Sequence, residues 1–263
     1  MQSLNRNIFR NPYIVMENIS RIETAFRRSG QDIITVSEYL TTGGKNYIEL
    51  DNEVWRIYGY TEQAYLPENK SYLTGYAFGK YINIINNNII LDNTIENFHN
   101  FEMYYNRLPV GTEKFFDGLR GRLEIFSDIP ERNVHNDAKT DNIIFGQKIT
   151  VIDLDTSMRG HVAIDYGDMI RSAGTENIAE ITRGFADGLD GLLTPAETDS
   201  LYYGILYVTG ELAMRYIIDS VSERRYFITK TPEQCRRRSE DLLKQLEYFE
   251  SNSGIKNIIR KAF

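Results

Sequence analysis

The amino-acid sequence predicts a two-lobed α+β fold, with a small N-terminal lobe and a larger, mainly helical C-terminal lobe. Two observations predict this class. Residues 1–60 contain one amphipathic helical pattern followed by three strand-like segments. The rest of the chain is mostly helical in pattern, apart from one β-hairpin bordered by aspartates and an asparagine. The polar segment 61–70 separates the two parts, so we predict lobes at residues 1–62 and 63–263.

Length and composition are those of a globular protein: the chain has 263 residues, of which 41% are hydrophobic. The net charge of −7 argues against non-specific nucleic-acid binding. The single cysteine, Cys235, excludes an intrachain disulfide and, with only three histidines, disfavours a structural zinc site. No apolar run reaches about 18 residues, and no signal-peptide core is present. We therefore expect a cytoplasmic protein that binds neither nucleic acid nor membrane.

Residues 11–29 have the pattern of a helix. Asn11 suits the N-cap position and Pro12 suits the first helical position. Apolar residues recur at helical spacing over 15–26, and Gly30 follows as a stop signal. The sequence therefore predicts one amphipathic helix with defined ends.

Three strand-like segments follow, at residues 33–40, 45–50 and 53–58. Short polar turns at 42–44 and 51–52 separate them. Short turns join neighbouring antiparallel strands, so the sequence predicts a three-stranded antiparallel sheet beside the helix.

Most of the remaining chain has helical periodicity. Capping signals stand at residues 194–195 and 231–232, each a threonine followed by a proline. The predicted helical segments are 71–86, 92–125 with a break near 109–111, and 175–251.

A β-hairpin is predicted around Gly146 and Gln147, because glycine first in a two-residue loop is typical of a type II′ turn. This turn pairs Phe145 with Lys148, and residue 142 with residue 151.

Polar side chains converge at the open end of this hairpin. Asp137 lies in the preceding loop, Asn142 begins one strand and Asp153 ends the other, while Asp155 shares a strand face with Asp153. An amide and a carboxylate suit Mg²⁺ held together with nucleotide phosphates. A further carboxylate can accept a proton from a substrate hydroxyl. These groups are the ones that phosphoryl transfer requires.

Two further aspartates near the hairpin have a structural and a supporting interpretation, and His135 either orients the loop or transfers protons. Asp165 is suited to cap a helix that begins near Tyr166, which would place Asp168 in the acidic first turn. A supporting hydrogen bond to the catalytic loop is the alternative for both. We expect His135 to orient that loop.

The segment HNDAKTDN, followed by DLD, resembles the protein-kinase pattern H-R-D-x-x-x-x-N followed by D-F-G, with departures that point to small-molecule kinases. The longer pattern VHNDAKTDNIIF…VIDLDT…DYGDMIR resembles the aminoglycoside phosphotransferase-like superfamily, whose fold is protein-kinase-like. More narrowly, it is similar to the N-acetylhexosamine 1-kinase branch. Suggestive similarities extend to residues 4–19, 97–100 and 211–227.

The resemblance implies transfer of the ATP γ-phosphate to a sugar hydroxyl, with Mg²⁺ and ATP as cofactors. It implies that Asp137 is the catalytic base and that Asn142 and Asp153 bind the metal. Asp155 is either a second metal ligand or a structural partner. Lys139, between base and metal ligand, either contacts a phosphate or is a solvated loop lysine.

Sugar contacts are implied for Arg215 and Tyr226, with an ordinary salt bridge and simple packing as their respective alternatives. For His99, a structural role and a sugar contact are both open. The partners expected are therefore a nucleotide and a small sugar, whereas the oligomeric state is not indicated.

The beginning of the chain departs from the family pattern. Relatives carry a glycine-rich hairpin over the nucleotide, whereas residues 1–4 already resemble the end of the third strand, and no lysine precedes Lys45. The resemblance therefore predicts a shortened N-terminal lobe, from an upstream start, a shortened chain or a degenerate member. Other acceptors (an aminoglycoside, homoserine or choline) and a non-catalytic, pseudokinase-like binding protein are the alternative functions.

Overall fold

A computed structural model describes residues 1–30, 33–87, 89–223 and 225–263. It confirms the α+β class, with small sheets and a larger helical part. The strands in the described residues are β1 (Gln2–Ser3), β2 (Ile33–Thr35), β3 (Ile48–Leu50), β4 (Glu53–Arg56), β5 (Arg132–Val134), β6 (Ile143–Phe145), β7 (Ile149–Val151) and β8 (Met158–Gly160). The α-helices are α1 (Pro12–Ser29), α2 (Lys70–Ile85), α3 (Phe101–Tyr105), α4 (Asp117–Arg120), α5 (Val162–Ala173), α6 (Ile178–Leu189), α7 (Pro195–Val221), α8 (Pro232–Ser251) and α9 (Gly254–Ala262).

Helix α1 agrees with the prediction at both ends. The Asn11 side chain accepts a hydrogen bond from the backbone N–H of Tyr13 at 3.2 Å, and Gly30 ends the helix with φ 61°. Val15, Ile19 and other members of the predicted stripe are buried. The helix is therefore held by burial of one face, with its ends fixed by local caps.

The N-terminal sheet has the strand order β1-β4-β3, and both pairings are antiparallel. The predicted turn between β3 and β4 is confirmed, because Asp51 and Asn52 both have positive φ, at 52° and 64°. The predicted membership of the sheet is wrong in one strand: β2 pairs in parallel with β7 in a second sheet. Residues between β2 and β3 instead contact the segment just after β4, where Tyr39 N–H donates to the Ile57 carbonyl at 2.9 Å.

The hairpin β6-β7 forms, but its predicted register is wrong by one residue. Phe145 lies opposite Ile149, and Ile143 lies opposite Val151. The loop therefore has three residues. Burial explains the shift: Ile143, Phe145 and Val151 are buried on one face, whereas pairing Phe145 with Lys148 would have placed a lysine there.

The C-terminal helices match the predicted segment 175–251, with α9 added beyond it. Capping boxes begin α7 at Thr194 and α8 at Thr231, as the threonine-proline pairs predict. The segment 92–125 is less regular than predicted, since only α3 and α4 are α-helical and 3₁₀ turns connect them. Within the described residues, no helix combines the length and apolarity needed to cross a bilayer.

Helices α5 and α7 cross at unusually close range, through glycines. A Cβ atom at Gly204 would lie 1.9 Å from the Ala163 carbonyl oxygen, and one at Gly167 would lie 2.3 Å from the Gly204 carbonyl oxygen. Real Cβ atoms do not approach so closely, so the absence of a side chain sets the distance between these helices. The two helices carry several candidate site residues, and this contact therefore fixes their spacing.

Substituting Gly204 by alanine should lower the free energy of unfolding by about 3 kcal/mol, because a methyl group there forces α5 and α7 apart. Urea denaturation followed by circular dichroism measures the change. Gly121→Ala is the matched control, since Gly121 has helical φ and ψ of −65° and −23° and open space around its Cβ position. Equal stability of the two variants would contradict this account of the helix crossing.

Candidate active site

The loop after β5 places Asp137 beside Asn142. The Asn142 side-chain amide donates to the Asp137 carbonyl oxygen at 2.8 Å and to its carboxylate Oδ2 at 3.2 Å. Lys139 Nζ lies 2.7 Å from the same Oδ2. Asp137 is therefore oriented by one amide and one ammonium group, both from its own loop.

Lys139 has an environment that keeps it charged. Burial alone would lower its pKa, but the hydrogen bond from Lys139 to Asp137 and the negative charges of Asp137, Asp153 and Asp168 raise the pKa above the ordinary lysine value. The ammonium group is consequently a fixed positive charge beside the candidate base. A fixed positive charge at this position suits the phosphate contact that is one of the two alternatives for Lys139.

Asp153 lies two residues after the end of β7, and its neighbour Ile152 contacts Asn142. The Ile152 N–H donates to the Asn142 carbonyl at 3.0 Å, which places Asp153 at the open end of the hairpin. Asp153 has left-handed backbone angles, φ 60° and ψ 53°, and it turns the chain into a 3₁₀ segment. Burial and the charges of Asp155 and Asp137 raise the pKa of its carboxyl group. The structure thus brings Asp137, Asn142 and Asp153 together.

The donor set fits a divalent cation that is shared with a nucleotide. Because the Asn142 amide nitrogen points to Asp137, its oxygen faces the other way, and no hydrogen bond among the described residues uses it. The described residues contain no group of three or more His, Cys, Asp or Glu side chains able to enclose a metal. Mg²⁺ commonly takes one or two protein ligands and completes its shell with phosphates and water. Asn142 and Asp153 match that requirement.

The structure places Asp155 in a buried ion pair. Its Oδ2 lies 2.7 Å from Nη2 of Arg56, and the two side chains are 10% and 2% exposed. The prediction that Asp155 shares a strand face with Asp153 is wrong, because the left-handed turn at Asp153 ends the strand alternation. The geometry is that of the structural-partner alternative.

Asp165 does not cap a helix near Tyr166, because α5 begins earlier, at Val162, and Asp165 lies inside its first turn. Its two carboxylate oxygens accept the backbone N–H groups of His135, at 2.7 Å, and Asn136, at 2.6 Å. Burial raises the pKa of Asp165 to about 6, although these hydrogen bonds oppose the shift. Asp165 therefore anchors the loop before Asp137 to α5, which is the supporting alternative.

His135 is fully buried at the start of the loop that carries Asp137. Its Nε2 lies 2.9 Å from the Ile152 carbonyl oxygen, and its ring packs against Phe78 and Tyr81. The side chain thus ties the loop to the end of β7, beside the candidate metal ligand.

Asp168 lies beyond the first turn of α5, so that part of the prediction is wrong. Arg171 Nη2 pairs with its Oδ1 at 2.8 Å, and both side chains are mostly buried. The spacing of three residues on a helix was the available signal for this pair, which sequence reasoning missed.

Arg215, on α7, lies in an aromatic cluster. Its guanidinium carbon is 4.4 Å from the ring centre of Tyr226, 5.5 Å from Phe227 and 5.7 Å from Tyr104. Such distances are those of cation–π contacts. Arg215 Nε is buried without a hydrogen-bond partner in the described part of the chain. The structure thus places Arg215 against Tyr226 and two further rings. It also places Arg215 Nη1 3.7 Å from Glu211 Oε1, which is the salt bridge considered as the alternative for Arg215.

Both ring nitrogens of His99 are engaged by the protein. Nδ1 lies 2.8 Å from Glu211 Oε2, and Nε2 lies 2.8 Å from the Asn136 carbonyl oxygen. This arrangement is that of the structural alternative. Sequence reasoning missed Glu211, because it is 112 positions from His99 and that pairing leaves no local signal. Its spacing of four residues from Arg215 on α7 was the available one.

Comparisons with known proteins match one segment of the chain to a family and the fold to solved kinases. Residues 112–199 match a family described as APH, phosphotransferase enzyme family, and the matched segment includes Asp137, Asn142 and Asp153. The fold is similar to that of a choline/ethanolamine kinase family protein from Mesorhizobium loti, at 12% identity and TM-score 0.64, covering 94% of this chain and 84% of that one. It is also similar to an amicoumacin kinase in complex with AMP-PNP and Ca²⁺, at 13% identity and TM-score 0.63, covering 90% and 77%. A microcompartment-associated aminopropanol kinase matches at 11% identity and TM-score 0.63, covering 91% and 82%.

Proposed function

We propose that this protein is a small-molecule kinase that transfers the γ-phosphate of ATP to a hydroxyl group, with the anomeric hydroxyl of an N-acetylhexosamine as the acceptor. The observation that carries the proposal is the convergence of Asp137, Asn142 and Asp153 at the end of one hairpin. The match of residues 112–199 to a phosphotransferase family supports the same reaction class.

Asp137 would act on the acceptor hydroxyl. Its carboxylate is held by Asn142 and Lys139, so it can position the hydroxyl and take its proton as the oxygen attacks the γ-phosphorus. The new bond joins the acceptor oxygen to phosphorus, the bond from phosphorus to the bridging oxygen breaks, and ADP leaves with that electron pair. Asn142 and Asp153 would hold Mg²⁺, which neutralises phosphate charge when bound.

The acceptor class is suggested by Arg215. An amine acceptor would bring positive charge toward a guanidinium that already occupies the aromatic cluster of Tyr104, Tyr226 and Phe227. A sugar offers hydroxyl and carbonyl oxygens, which a guanidinium donates to readily. This chemistry favours a sugar over the choline, ethanolamine or aminopropanol for which similar proteins are named.

A coupled ADP-release assay tests the function. Mg²⁺-ATP is supplied with N-acetylglucosamine, N-acetylgalactosamine, an aminoglycoside, homoserine, choline and aminopropanol, and Asp137→Asn serves as the blank. Sugar-dependent ADP release that is lost in the blank supports the proposal. ADP release with an amine acceptor alone would show that the acceptor is an amine and not a sugar. No release with any acceptor would favour a non-catalytic binding protein.

Substituting Arg215 by alanine should raise the KM for the acceptor by roughly 10- to 100-fold, the range expected for loss of a charge-assisted hydrogen bond. The KM for ATP should change little. Lys256→Ala is the matched control, because Lys256 also lies over a tyrosine, Tyr202, at 4.6 Å, but on the C-terminal helix α9. An unchanged acceptor KM in the Arg215 variant would remove Arg215 from acceptor binding.

A further inference from the structure

Asn136, the residue that precedes the candidate base, is held from two sides. On one side, Asp165 accepts the Asn136 N–H at 2.6 Å. On the other, His99 Nε2 lies 2.8 Å from the Asn136 carbonyl oxygen. That carbonyl belongs to the peptide bond between Asn136 and Asp137. The His99 imidazole is therefore hydrogen-bonded to the backbone directly before the candidate base.

Two backbone conformations indicate that this contact is built rather than incidental. His99 has φ 52° and Asn136 has φ 62°, both in the left-handed region that side chains other than glycine adopt at a cost. Tyr207 also donates its hydroxyl to the His99 carbonyl oxygen. The surrounding structure therefore holds both residues in conformations that the chain alone does not favour.

The partners of His99 require protons on both ring nitrogens. A carbonyl oxygen and a carboxylate oxygen are acceptors, so Nε2 donates to Asn136 and Nδ1 donates to Glu211. Burial alone would lower the pKa of His99, but the charge and hydrogen bond of Glu211, with a smaller contribution from Asp168 on α5, raise it to about 9. The group is thus an imidazolium at neutral pH.

Glu211 links this imidazolium to the aromatic cluster. Its side chain is 2% exposed, and Oε1 lies 3.7 Å from Nη1 of Arg215, one helical turn further along α7. The same Oε1 has no hydrogen-bond partner in the described part of the chain. A continuous set of charged contacts therefore runs from Arg215 through Glu211 and His99 to the peptide before Asp137.

We propose that Glu211 and His99 are positioning residues that set the orientation of Asp137 and connect it to Arg215. The proposal rests on the proposed kinase function, since Arg215 is there the acceptor-binding group. Acceptor binding at Arg215 and placement of the base would then be coupled through one buried glutamate. Neither residue touches the reacting atoms.

The test compares Glu211→Gln, His99→Ala and His99→Gln by pH profiles of kcat and by KM values. His99→Ala should lower kcat by roughly 10- to 100-fold, the effect of a misplaced catalytic group. The KM for ATP should stay within about twofold, because His99 hydrogen-bonds to Glu211 and Asn136 and not to Asn142 or Asp153. Glutamine retains a donor for the Asn136 carbonyl, so His99→Gln should recover most of the lost kcat.

Glu211→Gln tests the pH profile of kcat, which should not change if Glu211 has only a structural role. Without the carboxylate charge, the imidazolium loses its proton at lower pH, so the alkaline limb of kcat should move down by about one pH unit or more. Glu197→Gln is the matched control: Glu197 is on the same helix, is 2% exposed and pairs with Arg132. Equal pH profiles for the two variants would overturn the proposal.

NMR separates failure of this inference from failure of the kinase proposal. In the wild-type protein, the His99 ring signal should titrate near pH 9, and the backbone amide of Asp137 should shift with the same midpoint, whether or not any acceptor is phosphorylated. Comparison with His99→Gln assigns the ring among the three histidines. An Asp137 amide that does not respond to this titration would overturn the positioning role even in an active kinase.

Discussion

Replacing Asp137 by asparagine should lower turnover by roughly 10²- to 10⁴-fold, the contribution expected of a general base, while nucleotide affinity stays nearly unchanged. Asparagine has the same shape and can still meet the Asn142 amide through its carbonyl oxygen. It cannot take a proton from the acceptor hydroxyl. The substitution therefore removes the proposed chemistry and leaves the loop in place.

Two measurements check this result: the coupled ADP-release rate at saturating acceptor, and ATP affinity by titration calorimetry. Asp141→Asn is the matched control, because Asp141 lies on the 3₁₀ turn that follows the Asp137 loop, is exposed, and lines a cavity of about 500 Å³ whose lining does not include Asp137, Asn142 or Asp153. Retained turnover in Asp137→Asn would assign the base elsewhere. A similar loss of turnover in Asp141→Asn would show that removing any negative charge from this part of the chain lowers turnover.

The parts of the fold that were predictable are those with local causes. The ends of α1, α7 and α8 follow from capping side chains and prolines a few residues apart, and their buried faces follow from helical spacing. Strand β1 has only two residues, too few to show alternation. The parallel pairing of β2 with β7 joins segments that are far apart in the chain, so no turn motif between them predicts it.

The candidate site also contains residues that local sequence predicts and partners that only the folded structure shows. Asp137, Asn142 and Asp153 could be grouped from the sequence because one hairpin brings them together, and a one-residue error in register did not separate them. The partners that hold the site could not be found so easily. Arg56 and Asp155 are 99 positions apart, and His99 and Glu211 are 112 positions apart. Such pairs exist only after the core has formed.

Replacing Asp153 by asparagine should lower turnover by about 10³-fold, which corresponds to about 4 kcal/mol of lost charge stabilisation at the phosphates. The neutral amide is a weaker ligand for Mg²⁺, so the Mg²⁺ concentration for half-maximal rate should rise as well. A Mg²⁺ titration of ADP release at fixed ATP measures both effects. A rate and Mg²⁺ dependence equal to those of the wild type would exclude Asp153 as a metal ligand.

The matched control is Asp155→Asn, measured by thermal unfolding without divalent cations. We expect Asp153→Asn and Asp155→Asn to change the melting temperature in different directions. Asp153 carries a partly buried charge near Asp155 and Asp137, so removing that charge should leave the melting temperature equal or higher. Asp155→Asn should lower the melting temperature instead, since Arg56 would keep a buried charge without its carboxylate. If Asp155→Asn were neutral in stability but lost Mg²⁺ dependence, Asp155 would be the second metal ligand, and its pairing with Arg56 would be secondary.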